Sequence, residues 1–375
     1  MLRADCTFLK AFSAYVFLVA LTWSFTYSGA HAAQKLRPRS IGQGFDSLQS
    51  EPEEEAGEEE EEEAPAPRAQ AGGQTTYQKI RHAAGAYDVE YGFKNFNNDK
   101  VRIQASISDK VVADSVREFG YRKADFDKLD AWYQTAQEQA IASSSKRTTS
   151  GRITAANQAE LDRKMRELKA SNARIQQELD ATLKGLAAEY RRKRLALYEQ
   201  GGFRMKEKGV VEVDIPALVR KNWSRMRPVA QSFVQVSNSR SYDQEELVGA
   251  VAAMVQTAMR YEVPDTTEGD RVIGGVLPPM RSLIMGQGDC DTKTAVLSSI
   301  LANWPNLKMV GLAIPGHYLM AVHRIPRSGD VFIEHEGIPY VMIESAGPAW
   351  LPPGKVGDST EAYLSAGNDF RIQKL

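Results

Sequence analysis

The chain has two cysteines, Cys6 and Cys290, and the second stands where the residue types suit chemistry. Met285-Gly286-Gln287-Gly288-Asp289-Cys290-Asp291-Thr292-Lys293-Thr294 reads as a glycine-containing loop running into a helix that starts at Cys290 or Asp291. A helix N-terminus presents unsatisfied N–H groups and the positive end of the macrodipole. Both favour the thiolate, the form in which cysteine is a nucleophile. Gly286 and Gly288 are expected to let the backbone turn sharply and to leave space for a substrate carbonyl. A structural cysteine would have apolar neighbours, whereas those of Cys290 are polar on both sides.

A cysteine nucleophile needs a base to share its proton, and the base needs an acceptor to orient it. The histidines are His31, His82, His317, His323 and His335. His31 falls in an export signal described below, and His82 in the first segment after a linker. His317 opens the strand Pro315-Gly316-His317-Tyr318-Leu319-Met320-Ala321-Val322, with Gly316 expected to clear space beside a ring that faces a cleft. His323 shares its face at the far end of the strand, as a supporting or an exposed residue. His335 lies with Glu334 and Glu336 at a hairpin tip. Glu344 ends the apolar strand Tyr340-Val341-Met342-Ile343, where a carboxylate is out of place without a partner. It is therefore preferred as the third member. Twenty-seven residues separate Cys290 from His317, and the same number separates His317 from Glu344. That allows one helix and a strand, then a strand pair, so the three side chains can converge. A metal site built from Cys290, His317, His323 and His335 is the rival chemistry, but paired spacings such as C-x-x-C are missing. No metal and no cofactor are expected.

The elements that must carry these residues occupy 210–375. Leu247 to Tyr261 has helical periodicity, opened by Asp243 and first-turn acids. A Gly/Pro-rich loop, Gly274 to Pro279, leads toward the cysteine helix, which should stop at Trp304-Pro305. Strands are expected at Leu307–Ile314, His317–Ile325, Val331–His335 and Tyr340–Ser345, an α+β arrangement. Upstream, 77–123 reads as a small β-containing module. Two period-2 segments, Tyr87–Phe93 and Val101–Ile107, surround the Asn-rich turn 95–99 as a hairpin. Helix dominates 124–202. Its first stretch, Phe126–Ile141, is followed by a polar loop, Ser143 to Gly151. A longer stretch then carries Leu161, Met165, Leu168, Ile175, Leu179 and Leu186 at heptad-like spacing. Asn172 and Thr182 interrupt that seam, and Leu183, Tyr190 and Leu197 make an offset stripe, as a stutter would. A coiled-coil-like helical hairpin fits best, either a partner-binding or self-associating arm or a hairpin that packs only on its own domain.

Gly-Asp-Cys at a helix start, Pro-Gly-His on a strand, and a carboxylate closing the next strand together resemble the transglutaminase-like superfamily. This includes the bacterial transglutaminase-like cysteine proteinases, of papain-like fold. Val255-Gln256-Thr257-Ala258-Met259-Arg260-Tyr261 is similar to the helix and tyrosine preceding that family's cysteine. Gly337 to Glu344, with Trp350 beyond, is similar to its Gly/Tyr strand leading to the acid. The resemblance covers about the last 130 residues. It implies Cys290 as nucleophile, His317 as base and Glu344 as orienter, with Glu where the family usually has Asp. Gln287 and the Cys290 N–H are the candidate oxyanion donors, Gln287 being otherwise a loop residue that satisfies backbone. The family attacks amide carbonyls to form an acyl-thioester, resolved by water in proteases and amidases or by an amine in transglutaminases. Exported bacterial members lean to hydrolysis, so the expected activity is a thiol hydrolase, a cysteine peptidase or amidase acting on a protein or peptide. The alternative is a catalytically weak or inactive scaffold that binds a partner in the cell envelope through the helical arm.

The N-terminus supports export. Arg3 and Lys10 precede an apolar run, Ala11 to Trp23, and the triplet Ala30-His31-Ala32, the layout of a secretory signal peptide over 1–32. An uncleaved anchor is the other reading. Cleavage would remove Cys6 and leave one thiol, in a periplasmic or secreted protein with no stable membrane span. Residues 33–76 hold ten glutamates between Glu51 and Glu63, without which the net charge of −1 would be +9. Such a run stays solvated and disordered. It is a spacer, or else a cation-binding or autoinhibitory segment. The remaining basic residues are scattered and not interleaved with aromatics, so nucleic acid is excluded as a partner.

Overall fold

The structure, a computed structural model, describes residues 2–4, 76–149 and 151–375. The expected signal-peptide segment beyond Ala4 and the acidic linker lie outside the described residues. These residues divide into two compact units, one of 2–4 and 122–198 and the other of 76–121 and 199–375. Among the described residues no helix is long and apolar enough to cross a membrane.

The second unit begins with a three-stranded antiparallel sheet, β1 (Tyr77–Ala83), β2 (Ala86–Lys94) and β3 (Lys100–Ser108), followed by α1 (Asp109–Arg117). The expected hairpin is β2–β3, and β1 adds a third strand to it. Alternation works as the period-2 pattern requires: Val89, Tyr91, Phe93, Val101, Ile103 and Ile107 are buried. At the Asn-rich turn Asn95 N–H bonds Asp99 O at 2.8 Å, and Asn98 takes a positive φ of 71°.

The other unit is a long helical hairpin of α2 (Lys123–Arg147) and α3 (Gln158–Gln200), with Leu2–Ala4 paired to Ile153–Ala155. Tyr133 stacks on Tyr190 at 4.6 Å between centroids, and the Tyr190 hydroxyl donates to Asp130 at 2.6 Å. Leu161, Ile175 and Leu179 of the heptad seam are buried. Asn172 exchanges two hydrogen bonds with the backbone of Thr149, and Thr182 Oγ1 donates to Glu178 O. The polar seam residues are thus satisfied locally. One expectation needs correction: α2 runs through Ser143–Arg147, which reads as loop. Serine is only a mediocre helix former. Ser144 is buried, however, and its carbonyl accepts from both the N–H and the hydroxyl of Thr148, so packing and a C-terminal cap override propensity.

The rest of the second unit runs through α4 (Ile215–Asn222), α5 (Arg227–Arg240), α6 (Gln244–Thr257), α7 (Pro279–Met285) and α8 (Cys290–Leu301). β4 (Met309–Ile314), β5 (His317–His323), β6 (Phe332–His335), β7 (Ile338–Ile343), α9 (Asp358–Ser365) and β8 (Arg371–Lys374) follow. The five strands form an antiparallel half-barrel in the order β6-β7-β5-β4-β8. Asp243 and Glu246 close a reciprocal capping box on α6, which is buried from Leu247 to Gln256. α8 is buried on every face from Thr292 to Leu301. Helices without a solvated face lie inside a fold, and these two carry the core. Val89, Tyr91 and Phe93 of the first sheet share that core with α6, α8, Met320 and Ile343.

Candidate active site

Cys290 is the first residue of α8. Asp289 caps that helix, its carboxylate accepting from Thr292 N–H at 3.0 Å. The loop before it is tied down. Gln287–Gly288 pairs with Arg260–Tyr261 as a short parallel ladder, and Ser282 Oγ donates to Gln287 O at 2.6 Å. Gly286 closes α7 with a positive φ of 65°. A side chain at Gly288 would run into Thr292, so this glycine makes room for the helix's own first turn and not for a substrate carbonyl. Gly316 likewise serves the backbone. It holds φ +72° in the two-residue turn that brings Ile314 opposite His317, and no atom would crowd its side chain.

The register of the half-barrel brings His317 and Glu344 together. β7 pairs with β5 so that Met320 faces Ile343, and the chain leaving β7 lays Glu344 beside the start of β5. His317 Nε2 lies 3.1 Å from both carboxylate oxygens of Glu344. Glu344 Oε1 also accepts the N–H groups of Ser345 and Ala346, each at 3.0 Å. Burial alone would raise the Glu344 carboxyl, but the His317 bond and charge and these two N–H groups hold it below its usual range. Burial alone would lower His317; the hydrogen bond and charge of Glu344, with Asp291 and Asp289 behind, raise it instead.

The thiol environment corrects one expectation. Burial, reinforced by the charges of Asp291 and Asp289, pushes the Cys290 thiol well above its usual range. A backbone hydrogen bond from Tyr318 works the other way without prevailing. Cys290 Sγ lies 3.6 Å from Asp291 Oδ1, and Asp291 is itself pushed up to about 6 by burial and by Asp289. Burial comes first among these causes and the two flanking carboxylates follow, and together they favour the protonated thiol.

Gln287 is buried. Its Oε1 accepts from Arg260 at 2.5 Å, leaving Nε2 as the donating end of the amide. His323 turns to the backbone, its Nδ1 3.0 Å from Pro339 O. His335 faces Glu336 at 3.8 Å in the β6–β7 turn, where Glu336 also binds Lys374 at 2.9 Å. Glu334 stands opposite Pro339 on β6. His82 pairs with exposed Asp109 at 2.8 Å. Among the described residues no group of three His, Cys, Asp or Glu side chains is disposed to hold a metal ion.

Four more side chains gain a place around the site from the structure, and of these Tyr261 alone was singled out in the sequence. Gln256, buried in α6, donates to Glu344 O at 2.8 Å and Leu351 O at 2.9 Å and accepts from Leu351 N–H at 2.8 Å. Thr294 Oγ1 donates to Tyr318 O at 3.0 Å and lies 2.5 Å from Ser345 Oγ, joining α8 to the two segments that carry the dyad. Tyr261 is half-exposed. Its phenol is pushed up to about 12 by burial and by Cys290, Asp289, Asp291 and Glu344. Lys293 is 0 % exposed, with its ammonium 2.8 Å from Met259 O. Lys293 stands among Asp291, Thr292 and Thr294, so the sequence does not mark it as internal. The others depend on which backbone groups meet in three dimensions. Compared with protein-family models, curated proteins and solved structures, the chain matches none.

Proposed function

We propose that the chain is a thiol hydrolase of the transglutaminase-like type that attacks an amide bond of a protein or peptide through Cys290. The observation that carries this reading is the His317–Glu344 pair, whose buried carboxylate is anchored by two N–H groups within the segment that also touches α8 through Thr294. In the reaction the Cys290 proton passes to His317, the sulfur bonds the carbonyl carbon, and the amine leaves with the proton from His317. Water, deprotonated by the same imidazole, then cleaves the thioester and restores the thiol. Glu344 holds the ring by Nε2 and stabilises its charged form. The Cys290 N–H and Gln287 Nε2 are the donors for the oxyanion. Because the thiol is protonated at rest, proton transfer accompanies attack and does not precede it.

The test is intact-protein mass spectrometry after incubation with a library of peptides that include glutamine side chains. Acyl adducts on Cys290 in rapidly quenched wild type, missing from both Cys290→Ala and His317→Ala, are expected together with cleaved or deamidated peptides. Neither adduct nor product from folded wild-type protein would sink the proposal. The second reading, a transglutaminase-like scaffold without turnover, draws on the burial of Cys290 and the upward push on its thiol. That negative result, with a partner retained by the helical hairpin, would favour it.

A further inference from the structure

The strand beside the Cys290 loop is paired on one side only. Arg260 N–H donates to Gly286 O at 2.9 Å and Glu262 N–H to Gly288 O at 3.2 Å, in parallel register with Gln287–Gly288. In such a ladder alternate residues turn their N–H and C=O groups to opposite sides, so those of Tyr261 point away from the loop. Neither has a hydrogen-bond partner among the described residues, and no third strand joins the pair. The Tyr261 side chain is half-exposed, and Val263, two residues on, is exposed as well. In an extended chain that spacing returns to the same face.

The thiol is turned toward this strand. Cys290 and Lys293 stand three residues apart in α8 and so share a helix face. Lys293 Nζ donates to Met259 O at 2.8 Å, two residues before Tyr261. That face of α8 therefore looks onto the 259–261 segment, with Cys290 one turn nearer the helix start. An uncovered backbone donor and acceptor is the template that strand addition uses: main-chain bonds hold the added chain, and its alternate side chains meet the surface beside it. We propose, on the basis of the thiol-hydrolase reading, that the free edge at Tyr261 receives the substrate as one further strand. The substrate is then an extended segment of polypeptide, with an apolar side chain against Tyr261 and Val263. A glutamine side chain on a folded surface lacks the alternating N–H and C=O groups that this edge pairs with, so the bond attacked is a main-chain peptide bond.

The experiment uses the full chain carrying Cys290→Ala, which binds without turnover. The probes are two pools of acetylated, amidated hexapeptides of randomised sequence, one with ordinary amides and one N-methylated at every residue. Retained peptides are identified by mass spectrometry and their dissociation constants measured. Peptides with apolar residues should be retained from the first pool and not from the second. Tyr261→Pro removes the outward N–H and leaves the Arg260 and Glu262 bonds to the loop in place. It should weaken the retained peptides about tenfold, the upper end for one backbone hydrogen bond. Tyr261→Ala keeps that N–H and should lose the apolar preference instead. Equal retention of both pools, retention of neither, or a folded Tyr261→Pro chain that binds as tightly as its parent would overturn the inference. The N-methylated pool decides the point should Tyr261→Pro fail to fold. This readout needs no thiol, so it stands apart from the acyl-adduct test. Retained peptides without adducts in the wild type would overturn only the hydrolase, and adducts that form equally well on N-methylated peptides would overturn only the strand site.

Discussion

Gln256 and Glu344 are joined across 88 residues of sequence, the amide of the first donating to the backbone carbonyl of the second at 2.8 Å. The other bonds of that amide hold Leu351, so one buried side chain in α6 fixes the chain on both sides of the bend that presents the Glu344 carboxylate. Gln256→Leu keeps the volume and leaves an N–H and two carbonyls unpaired. Each such buried group costs about 1 to 3 kcal/mol. Urea unfolding should show a loss of about 3 kcal/mol or more, together with a lower His317 midpoint as the carboxylate is freed. A variant as stable as wild type would mean that water replaces the amide.

Glu344→Gln keeps the shape of the acid and removes its charge. Loss of turnover of about 10² to 10⁴ is expected by analogy with charge removal in the serine triad. Glu336→Gln, at an exposed turn bound to Lys374, should leave turnover intact. The pair also sets a pH window for stability. His317 binds its proton more tightly when folded, so its contribution is full below the unfolded value of 6.5 and lost as pH rises through the folded one. Glu344 contributes above its unfolded value of 4.5, and that contribution is lost as pH falls through the depressed one. The stabilisation is therefore greatest between those two values. A pH series of denaturation midpoints should lose this feature in Glu344→Gln.

The resting thiol is expected to alkylate slowly. Iodoacetamide labelling of Cys290 should lag behind a free cysteine at pH 7.5 and keep rising well above pH 9, because burial, Asp291 and Asp289 favour the protonated form. Asp291→Asn removes one of the two charges. Labelling at neutral pH should then speed up by about tenfold, the equivalent of one pH unit. Fast labelling of the wild type at pH 6 would instead mean an ion pair preformed at rest.

The helical hairpin leaves and rejoins its neighbouring unit at adjacent points. Gly120 N–H bonds Gly201 O at 2.9 Å, so the two ends of the excursion are already side by side. Replacing 123–198 by a short Gly/Ser linker should leave the remaining chain folded, with a melting temperature within a few degrees of wild type and unchanged Cys290 labelling. The shortened loop adds little closure entropy. A molten or insoluble product would show that the hairpin is packing surface and not an arm.

Much of this arrangement is legible in the residues themselves. Period-2 runs at Tyr87–Phe93 and Val101–Ile107, the capping acid before α6, and the junction at Cys290 are local signals, set by backbone geometry within a few residues. So is the isolation of Glu344 at the end of an apolar strand, since a charge there demands a partner wherever the strand packs. The heptad spacing of α3 reads as helix for the same reason.

What the sequence alone determined, then, is where the elements lie and which side chains are chemically conspicuous. Tertiary structure decided their surroundings. The register of β5 with β7 sets the 3.1 Å approach of His317 to Glu344. Burial of α8 sets the protonation of Cys290 and makes Lys293 an internal charge. The physical reason is that a pKa and a hydrogen bond depend on every group within a few ångströms, including backbone amides from distant segments. Periodicity and capping, by contrast, depend only on neighbours along the chain. The helix start and the flanking Asp289 and Asp291 could be read from the sequence; the burial that pushes the Cys290 thiol up could not.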